Sequence, residues 1–223
     1  MKIETKIDLY KLHKAQYAAT KQPVLVELKE ATYLAIPGQG APGGPLFTAS
    51  IGALYGMAFT IKMTRKFGGL QDYSVCKLEA QWGNAAGLNF DQVPKEEWQW
   101  NLMIRTPEFV TQAELDRAVA VLLKRGKGEE VKRVRLDTMT EGVCVHMLHV
   151  GPYEKEHETI AQMKAFAAKR QLQFHGKHHE IYLTDPRRVP PDRLKTILRM
   201  PAEPMAAPDS GERVVLPRRL CHI

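Results

Sequence analysis

Cysteine is scarce in this chain of 223 residues, and its distribution argues against a disulfide-stapled protein. Cys76, Cys144 and Cys221 are odd in number and far apart, which is typical of reduced thiols and not of a disulfide framework or a zinc site. No apolar stretch approaches the roughly 20 residues of a membrane helix, and no apolar signal core follows the first six residues. We therefore expect a cytoplasmic protein without a membrane association.

Motifs of several enzyme and cofactor classes are also missing. The glycines between Gly38 and Gly44 are not followed by the Lys-Ser/Thr pair of a phosphate-binding loop. No nucleophile elbow is present, and none of the eight histidines forms the i, i+4 pair of a helical metal site. The sequence therefore predicts no cofactor and no metal ion.

The net charge of +7 invites a nucleic-acid interpretation, but the basic residues are dispersed. The densest basic group lies between Lys124 and Arg135 and is interrupted by Glu129 and Glu130. This group is either a solvated face or a phosphate-contacting patch. Because neither a recognition helix nor an RNA-type aromatic motif accompanies it, direct nucleic-acid binding is not expected.

The most informative pattern in the chain is an internal repeat. Residues 78–82 (LEAQW) are followed by 100–107 (WNLMIRTP), and residues 179–183 (HEIYL) are followed by 195–201 (KTILRMP). Each half places an acid inside a strand-like run and closes with an aliphatic-Arg-x-Pro segment. The repeat predicts two similar lobes around a shared cleft, with one glutamate from each lobe near that cleft.

Each lobe reads as strand, turn, helix, strand, strand, so the predicted fold class is α+β with duplicated β-α-β-β units. We expect a single domain at 1–202, with lobes at about 21–107 and 130–202, and a flexible tail at 203–223. A helix at 111–125, which opens with the capping box Thr111–Glu114, joins the lobes. Strands are predicted at 23–28, 31–36, 75–82, 98–105, 131–136, 142–150, 178–183 and 194–200, and the other helices at 51–67 and around 160–167.

Strand alternation divides the side chains of the last acidic strand between two faces. Glu180 and Tyr182 share one face, and the aliphatic residues between and after them share the other. If the helix covers the aliphatic face, Glu180 and Tyr182 look away from it toward the partner lobe, where Glu79 and Gln81 occupy the equivalent positions. The alternative is an exposed sheet. His178 and His179 are either hydrogen-bonding neighbours that orient Glu180 or ligands of a metal ion, and we interpret them as the former.

Aromatic residues are concentrated around these strands. Trp82, Trp98 and Trp100 belong to one short stretch, Tyr55 lies on the first helix, and Tyr153 lies at the turn of the second lobe. Such residues form either a core or the walls of a pocket for a flat apolar ligand, and Trp98 fits the core or the rim. A carboxylate in such a pocket can act as an acid or base near neutral pH, or can pair with a cationic ligand.

Several blocks of the sequence resemble one family. The blocks are 23–27, 53–55, 59–62, 98–100, 141–145, 149–153, 178–188 and 194–199, within an overall resemblance that covers about 3–202. On these residues the chain resembles the GyrI-like small-molecule-binding proteins, a superfamily that includes the effector domains of multidrug-sensing transcription factors. More narrowly, it is similar to the stand-alone branch of about 200 residues, the cyclopropanoid cyclopropyl hydrolase-like proteins.

The resemblance implies two pseudo-symmetric β-α-β-β units of the SHS2/SOUL-GyrI-like kind, with pseudo-twofold symmetry and a central ligand cleft. Glu180 matches the buried glutamate of that cleft, and Tyr55, Trp82, Trp100 and Tyr153 match its aromatic positions. Members of the branch are described as hydrolases that open the activated cyclopropane of cyclopropanoid DNA-alkylating compounds. The branch typically reads Leu-Glu-Gly-Leu-Trp-Trp where residues 78–83 of this chain read LEAQWG, so two of the differences lie at Gln81 and Gly83.

Three functions follow as hypotheses, and all three leave the oligomeric state open. In the first, Glu180 is the general base of a detoxifying hydrolase, and Tyr153 or Tyr182 positions the attacking water. In the second, the cleft binds or senses planar aromatic or cationic small molecules without chemistry. In the third, the protein inhibits DNA gyrase by protein contact. The predicted ligand-binding residues are Tyr55, Glu79, Gln81, Trp82, Trp100 and His179.

Overall fold

The computed structural model describes residues 5–84 and 93–205, and within them one nine-stranded antiparallel sheet carries the fold. The helices are α1 Leu9–Leu12, α2 Lys14–Tyr17, α3 Pro45–Phe67, α4 Gln112–Lys124 and α5 Glu156–Ala168. The strands are β1 Val24–Leu28, β2 Ala31–Gln39, β3 Leu78–Gly83, β4 Gln99–Arg105, β5 Arg135–Met139, β6 Gly142–Val150, β7 Leu172–Phe174, β8 His178–Tyr182 and β9 Lys195–Pro204.

The order of the strands confirms the predicted α+β class and the duplicated units. Along the sheet the order is β1-β6-β9-β8-β3-β4-β2-β5, and β7 adds to the end of β9. The first unit is β2-α3-β3-β4 and the second is β6-α5-β8-β9. They meet where β3 pairs with β8, so the pseudo-twofold axis passes between these two strands. The seam between the units is therefore a continuous hydrogen-bonded sheet.

The two units exchange their leading strands. β1 immediately precedes β2 in the chain but pairs with β6 of the second unit, whereas β5 precedes β6 but pairs with β2 of the first unit. The predicted lobes, which follow the order of the chain, therefore do not coincide with the units in space. Because each unit supplies an edge strand to the other, neither unit can separate without breaking backbone hydrogen bonds.

The helix predicted to join the lobes packs on the first unit. The capping box of α4 is present as predicted, with reciprocal hydrogen bonds between Thr111 and Glu114. Its apolar stripe, Leu115, Ala118 and Leu122, is buried in the same cluster as the inner face of α3. α4 therefore covers α3 in addition to connecting the two units.

α3 and α5 cover the same face of the sheet, which we call the helix face. Leu34 and Ile36 of β2 pack in one buried cluster with α3, and Met147 of β6 packs in another with Met163 of α5. On the opposite face, the segment containing α1 and α2 lies over β8 and β9, where Tyr17 contacts Ile181 and Ile197. The two faces consequently carry different side chains and can host different chemistry.

By length and composition alone, α3 could cross a membrane, although we expected no apolar stretch of that size. Within the fold, its inner face is part of the core, since Leu54, Met57 and Ile61 are buried. Lys62 and Arg65, near its end, form ion pairs with other parts of the domain. A buried core helix can have the same length and composition as a membrane span, so α3 is weak evidence for a membrane association.

Strand ends differ from the predictions in two places. β9 continues to Pro204, two residues beyond the predicted domain end, because β7 pairs with residues 202–204; a three-residue strand is too short to reveal itself by alternation. β2 runs through Pro37 and Gly38 into the predicted loop, and proline is tolerated there because the β5 ladder ends at Ala35. The rest of the predicted tail, 206–223, and most of the predicted loop 83–90 lie outside the described residues.

Gly38 is a position where only a glycine fits. The indole of Trp100 lies directly over its backbone, and a Cβ atom added at Gly38 would be 2.1 Å from the Cη2 atom of Trp100. We expect Gly38→Ala to displace the indole and to lower the free energy of unfolding by about 1–3 kcal/mol, as overpacking does in other cores.

Chemical denaturation measures this effect, and Gly52→Ala is the matched control. Gly52 lies within α3, and an added Cβ there would meet no atom within 4 Å. The control should therefore raise stability by up to about 1 kcal/mol through helix propensity. Equal effects of the two substitutions would contradict the proposed contact between Gly38 and Trp100.

Candidate functional site

Glu180 lies on the helix face, at the seam between the two units. Strand β8 points it toward α5, and it is 6% exposed. Its Oε2 accepts a hydrogen bond of 2.7 Å from the hydroxyl of Tyr182, and its Oε1 lies 3.3 Å from Nε2 of His178. The prediction that Glu180 and Tyr182 look away from the helices is therefore wrong. The aliphatic Ile181 faces the opposite side, where α2 covers it.

A second carboxylate, which the sequence did not reveal, lies beside Glu180. Glu156 begins α5 and is 7% exposed. Burial and the neighbouring Glu180 raise the pKa of Glu156 to about 10. Burial alone would also raise the pKa of Glu180, but hydrogen bonds from His178, Tyr182 and Glu156 outweigh it and lower that pKa. These opposite shifts are those of two carboxyl groups that share one proton at neutral pH.

Tyrosine and tryptophan side chains close this site. The rings of Tyr153 and Tyr182 meet edge to face at 6.0 Å. Burial, then the charge of Glu180, raise the pKa of Tyr182 well above its usual value, and a hydrogen bond from Trp82 acts in the opposite direction. Trp82, Tyr182 and Glu180 are thus connected by hydrogen bonds, one to the next, on one face of β3 and β8.

The tryptophans form a cluster around a phenylalanine that the sequence did not single out. Phe47, on the first turn of α3, stacks on Trp82 at 5.7 Å and meets Trp100 edge to face at 5.3 Å. Trp98 meets Trp82 edge to face at 5.7 Å. Trp82 and Trp100 are directly opposite each other in the β3–β4 ladder. Trp100 is 2% exposed and belongs to the core, whereas Trp82 links the core to Glu180.

Tyr55 lies on α3 at the margin of this region. Its ring stacks on Phe59 at 6.3 Å, and it packs against the main core cluster. Burial and the charge of Asp185 raise the pKa of Tyr55, and Asp185 also contributes to the raised pKa of Tyr153. The loop between β8 and β9, which carries Asp185, therefore lies near both tyrosines.

Glu180 does not line either of two cavities found among the described residues. The larger, of about 410 Å³, lies between the end of β6 and α5 and is lined by residues that include His149, Pro152, Lys155 and Thr159. The imidazole of His149 is engaged there by Thr159 and by the Pro152 carbonyl. Glu180 is instead buried beneath aromatic rings, of which Tyr153 is the most exposed at 36%.

Glu79, Gln81 and His179, all predicted to bind ligand, lie on the opposite face of the sheet from Glu180. In the β3–β8 ladder Glu79 pairs with Ile181, while Ala80 pairs with Glu180. The predicted equivalence of Glu79 and Glu180 is thus wrong by one residue, and a shift of one residue in a strand exchanges the faces. Two units contribute one glutamate each, but the sheet separates the two carboxylates.

On that face Glu79 and His179 belong to a buried network of alternating charges. Nε2 of His179 lies 3.0 Å from Glu79, its Nδ1 lies 2.8 Å from Glu141, and Glu141 accepts a hydrogen bond of 3.0 Å from Arg199. Tyr17 donates to the other oxygen of Glu79 at 3.1 Å. We call these residues the charge network; two anions and two cations balance one another within it.

The pKa values of the network reflect this balance. Burial would lower the pKa of His179, but Glu141 and Glu79 raise it to about 9. Burial would raise the pKa of Glu141, yet His179 and Arg199 lower it to about 2. The imidazolium form of His179 is therefore held by two carboxylates, and removal of either partner would leave a buried charge unbalanced.

The two sequence departures at Gln81 and Gly83 lie on the face of the charge network and away from Trp82. The amide of Gln81 lies 2.8 Å from the sulfur of Met139. A side chain at Gly83 would first meet Lys177, at 3.8 Å. Strand alternation thus directs both departures away from the rings around Glu180.

Of the sequence-predicted site residues, the helix face therefore collects Glu180, Tyr182, Tyr153, Trp82, Trp100 and Tyr55. The orienting role predicted for the histidine pair is divided, because His178 contacts Glu180 and His179 does not. The sequence did not reveal Glu156 because it is far from Glu180 in the chain, and no local pattern indicates that the two residues meet. Donor atoms of Glu156, His178 and Glu180 lie within 4.8 Å of one another, so this cluster could also hold a metal ion.

Comparisons with solved structures support this fold over nearly the whole chain. An uncharacterized conserved protein from Listeria innocua is 35% identical, with a TM-score of 0.83 and coverage of 89% of this chain and 100% of its own. A hydrolase from Listeria innocua is 36% identical, with a TM-score of 0.82 and the same coverage. The C-terminal domain of EcmrR, at 10% identity and a TM-score of 0.54 over 82% of this chain and 98% of that domain, shares the fold alone.

Sequence comparison agrees with the structure. No curated protein matches the chain. The GyrI-like small molecule binding domain matches residues 21–203, which include the two β-α-β-β units apart from the last residue of β9. The match also includes every residue of what we call the Glu180 cluster, which is Glu180 with Glu156, His178, Tyr182, Tyr153 and Trp82. The chain therefore belongs to the GyrI-like family of small-molecule-binding domains.

Proposed function

We propose that this protein binds flat aromatic molecules at the Glu180 cluster and hydrolyses cyclopropanoid DNA-alkylating compounds by ring opening. The observation that carries the proposal is a buried carboxylate, Glu180, whose two oxygens are held by Tyr182 and His178 under a group of aromatic rings. Aromatic rings provide an apolar surface on which a planar ligand can pack, and a carboxylate held in place can act as a general base. The Listeria innocua neighbours called hydrolases, at 35% and 36% identity, favour chemistry over binding alone.

In the proposed reaction Glu180 removes a proton from a water molecule. The water oxygen bonds to the unsubstituted cyclopropane carbon as the strained carbon–carbon bond breaks. The electron pair of that bond passes into the dienone ring, which becomes an aromatic phenolate and then takes up a proton. Tyr182 keeps the Glu180 carboxylate in place, since its hydroxyl donates to Oε2 at 2.7 Å. The acceleration of the reaction comes from the positioning of the substrate and water and from base catalysis.

Because Glu180 is buried, a ligand requires an entry to it, and Tyr153 is the side chain best placed to provide one. Tyr153 is 36% exposed, and its ring meets that of Tyr182 edge to face. Rotation of this tyrosine would uncover Tyr182 and Glu180 without disturbing Trp100, which is fixed over Gly38. A ligand would then replace the Tyr153 ring against Tyr182 and Trp82.

A second function, binding without chemistry, is favoured by the charge of the cluster. Within the described part of the chain, neither Glu156 nor Glu180 forms an ion pair with lysine or arginine. An anionic carboxylate beside aromatic rings is also suited to a planar organic cation. The protein would then capture or sense such molecules and release them unchanged.

Product analysis distinguishes the two functions. The full-length protein is incubated with a cyclopropanoid compound, and the mixture is followed by mass spectrometry. We expect a product heavier than the substrate by one water molecule, formed faster than in buffer. Recovery of unaltered compound together with a raised melting temperature would establish binding alone and contradict the hydrolase.

A further inference from the structure

We propose that Glu156, His178 and Glu180 form a binding site for a divalent transition-metal ion, with Zn²⁺ as the best-suited ion. Two carboxylates and one imidazole are ligands that such ions prefer. The three side chains are 7%, 4% and 6% exposed, respectively, so the cluster is buried rather than a chance group of surface acids. This inference concerns the Glu180 cluster, where we also propose hydrolysis, but it does not depend on that hydrolysis.

The geometry of the donor atoms fits an ion of this size. Metal–ligand distances near 2.1 Å in a tetrahedral arrangement separate neighbouring donor atoms by about 3.4 Å. Nε2 of His178 and Oε1 of Glu180 are already 3.3 Å apart. All three donor atoms lie within 4.8 Å of one another, so a small adjustment of side chains would complete the set.

A buried oxygen of Glu156 without a hydrogen-bond partner supports the metal site. Oε1 of Glu156 is buried and accepts no hydrogen bond from the described residues. An isolated buried carboxylate oxygen is costly unless a proton or a cation compensates it. No lysine or arginine among the described residues pairs with either glutamate. A divalent cation would displace the proton that the pair holds and would neutralise both carboxylates at once.

The surrounding contacts hold the ligands in suitable orientations. Nδ1 of His178 lies 3.1 Å from the sulfur of Met200, which leaves Nε2 directed at Glu180. The hydroxyl of Tyr182 binds Oε2 of Glu180 and leaves Oε1 to the metal. Ligating carboxylates in metal sites are typically hydrogen-bonded in the way that Tyr182 binds Glu180. Three protein ligands leave a further coordination position open to water or to a bound molecule.

Calorimetric titration of the EDTA-treated, dialysed full-length protein with ZnCl₂ tests the site. We expect one saturable Zn²⁺ per chain and a rise in melting temperature, because the unfolded chain has no assembled site. Glu156→Gln and His178→Gln should each weaken Zn²⁺ binding by at least about 100-fold. Loss of a residue that only supports a ligand weakens metal binding by about 100-fold at most. MgCl₂ at the same concentration should have no effect, because Mg²⁺ prefers oxygen ligands.

His157→Gln is the matched control, since His157 is an exposed histidine on α5 next to Glu156. It should bind Zn²⁺ like the unmodified protein. In crystals soaked with ZnCl₂, the anomalous difference peak should lie about 2.0–2.2 Å from the three donor atoms. Absence of saturable binding, or equal binding by Glu156→Gln, would overturn the inference; if His178→Gln does not fold, Glu156→Gln decides.

Hydrolysis assayed separately in EDTA keeps the two proposals distinct. Turnover in EDTA without any Zn²⁺ binding would reject the metal site and leave the hydrolase standing. Saturable Zn²⁺ binding in a protein that yields no ring-opened product would support the metal site and reject the hydrolase.

Discussion

Glu180→Gln should lower the rate of cyclopropanoid hydrolysis by about 10²–10⁴-fold, the usual contribution of a general base. Glutamine has nearly the shape of glutamate, and its amide oxygen can still accept the hydrogen bond that Tyr182 donates at 2.7 Å. The Glu180 cluster should therefore keep its arrangement of aromatic rings and still bind the planar substrate. It would lose the group that removes the proton from water. Steady-state kinetics, with substrate binding measured by fluorescence, separates these two effects.

Glu79→Gln is the matched control for this experiment. It is the same substitution in β3, the strand paired with β8, but Glu79 belongs to the charge network on the opposite face of the sheet. It should lower the melting temperature, because His179 and Tyr17 lose an anionic partner, and should leave turnover of the folded protein nearly unchanged. Unchanged turnover in Glu180→Gln, or a larger loss in Glu79→Gln, would remove Glu180 from the proposed mechanism.

Glu141→Gln should produce the largest loss of stability among single substitutions in the charge network, about 3–5 kcal/mol. The Glu141 side chain is 4% exposed and joins His179 to Arg199. Its removal leaves two cations close together in a buried place with only Glu79 to balance them. Urea denaturation measures the change, because the unfolding midpoint falls while the slope stays constant.

The pH dependence of this effect has a definite sign. The pKa of Glu141 is lowered to about 2 in the folded protein, below its ordinary value near 4.5. The stabilisation is therefore fully present above about pH 4.5 and is lost as the pH falls toward 2. The difference between Glu141→Gln and the unmodified protein should shrink over that range. A difference that stays constant down to pH 2 would contradict the ion-pair explanation.

A surface ion pair provides the control for the buried one. Asp185 pairs with Arg187, whose side chain is 86% exposed. Because solvent and salt screen such a pair, Asp185→Asn should leave the unfolding midpoint almost unchanged. A loss as large as that of Glu141→Gln would show that burial does not explain the difference.

Much of the fold could be predicted because its signals are local. The capping box at Thr111–Glu114 marks the start of α4, and the alternation in 142–150 matches β6 at both ends. The repeat of acid-bearing strands identified two units with the same order of elements. By contrast, the exchange of β1 and β5 between the units has no local signal, because it depends on which distant strand each edge pairs with.

The candidate site was predictable only in part, for the same reason. The sequence placed Glu180 and Tyr182 together, since alternate residues of a strand must share a face. It could not tell which face the helices cover, so both the orientation of that face and the partnership with Glu79 were wrong. Glu156 and Phe47 were missed because each meets its partner only after a helix has packed on the sheet.

The sequence by itself therefore determined the repeated elements, their order and the alternation that pairs Glu180 with Tyr182. Only the tertiary structure decided that Glu180 lies beneath α5 with Glu156, while Glu79 joins a separate network across the sheet. The physical reason is register. Strand periodicity fixes which side chains share a face, but hydrogen bonding between β3 and β8, together with helix packing, fixes which faces coincide.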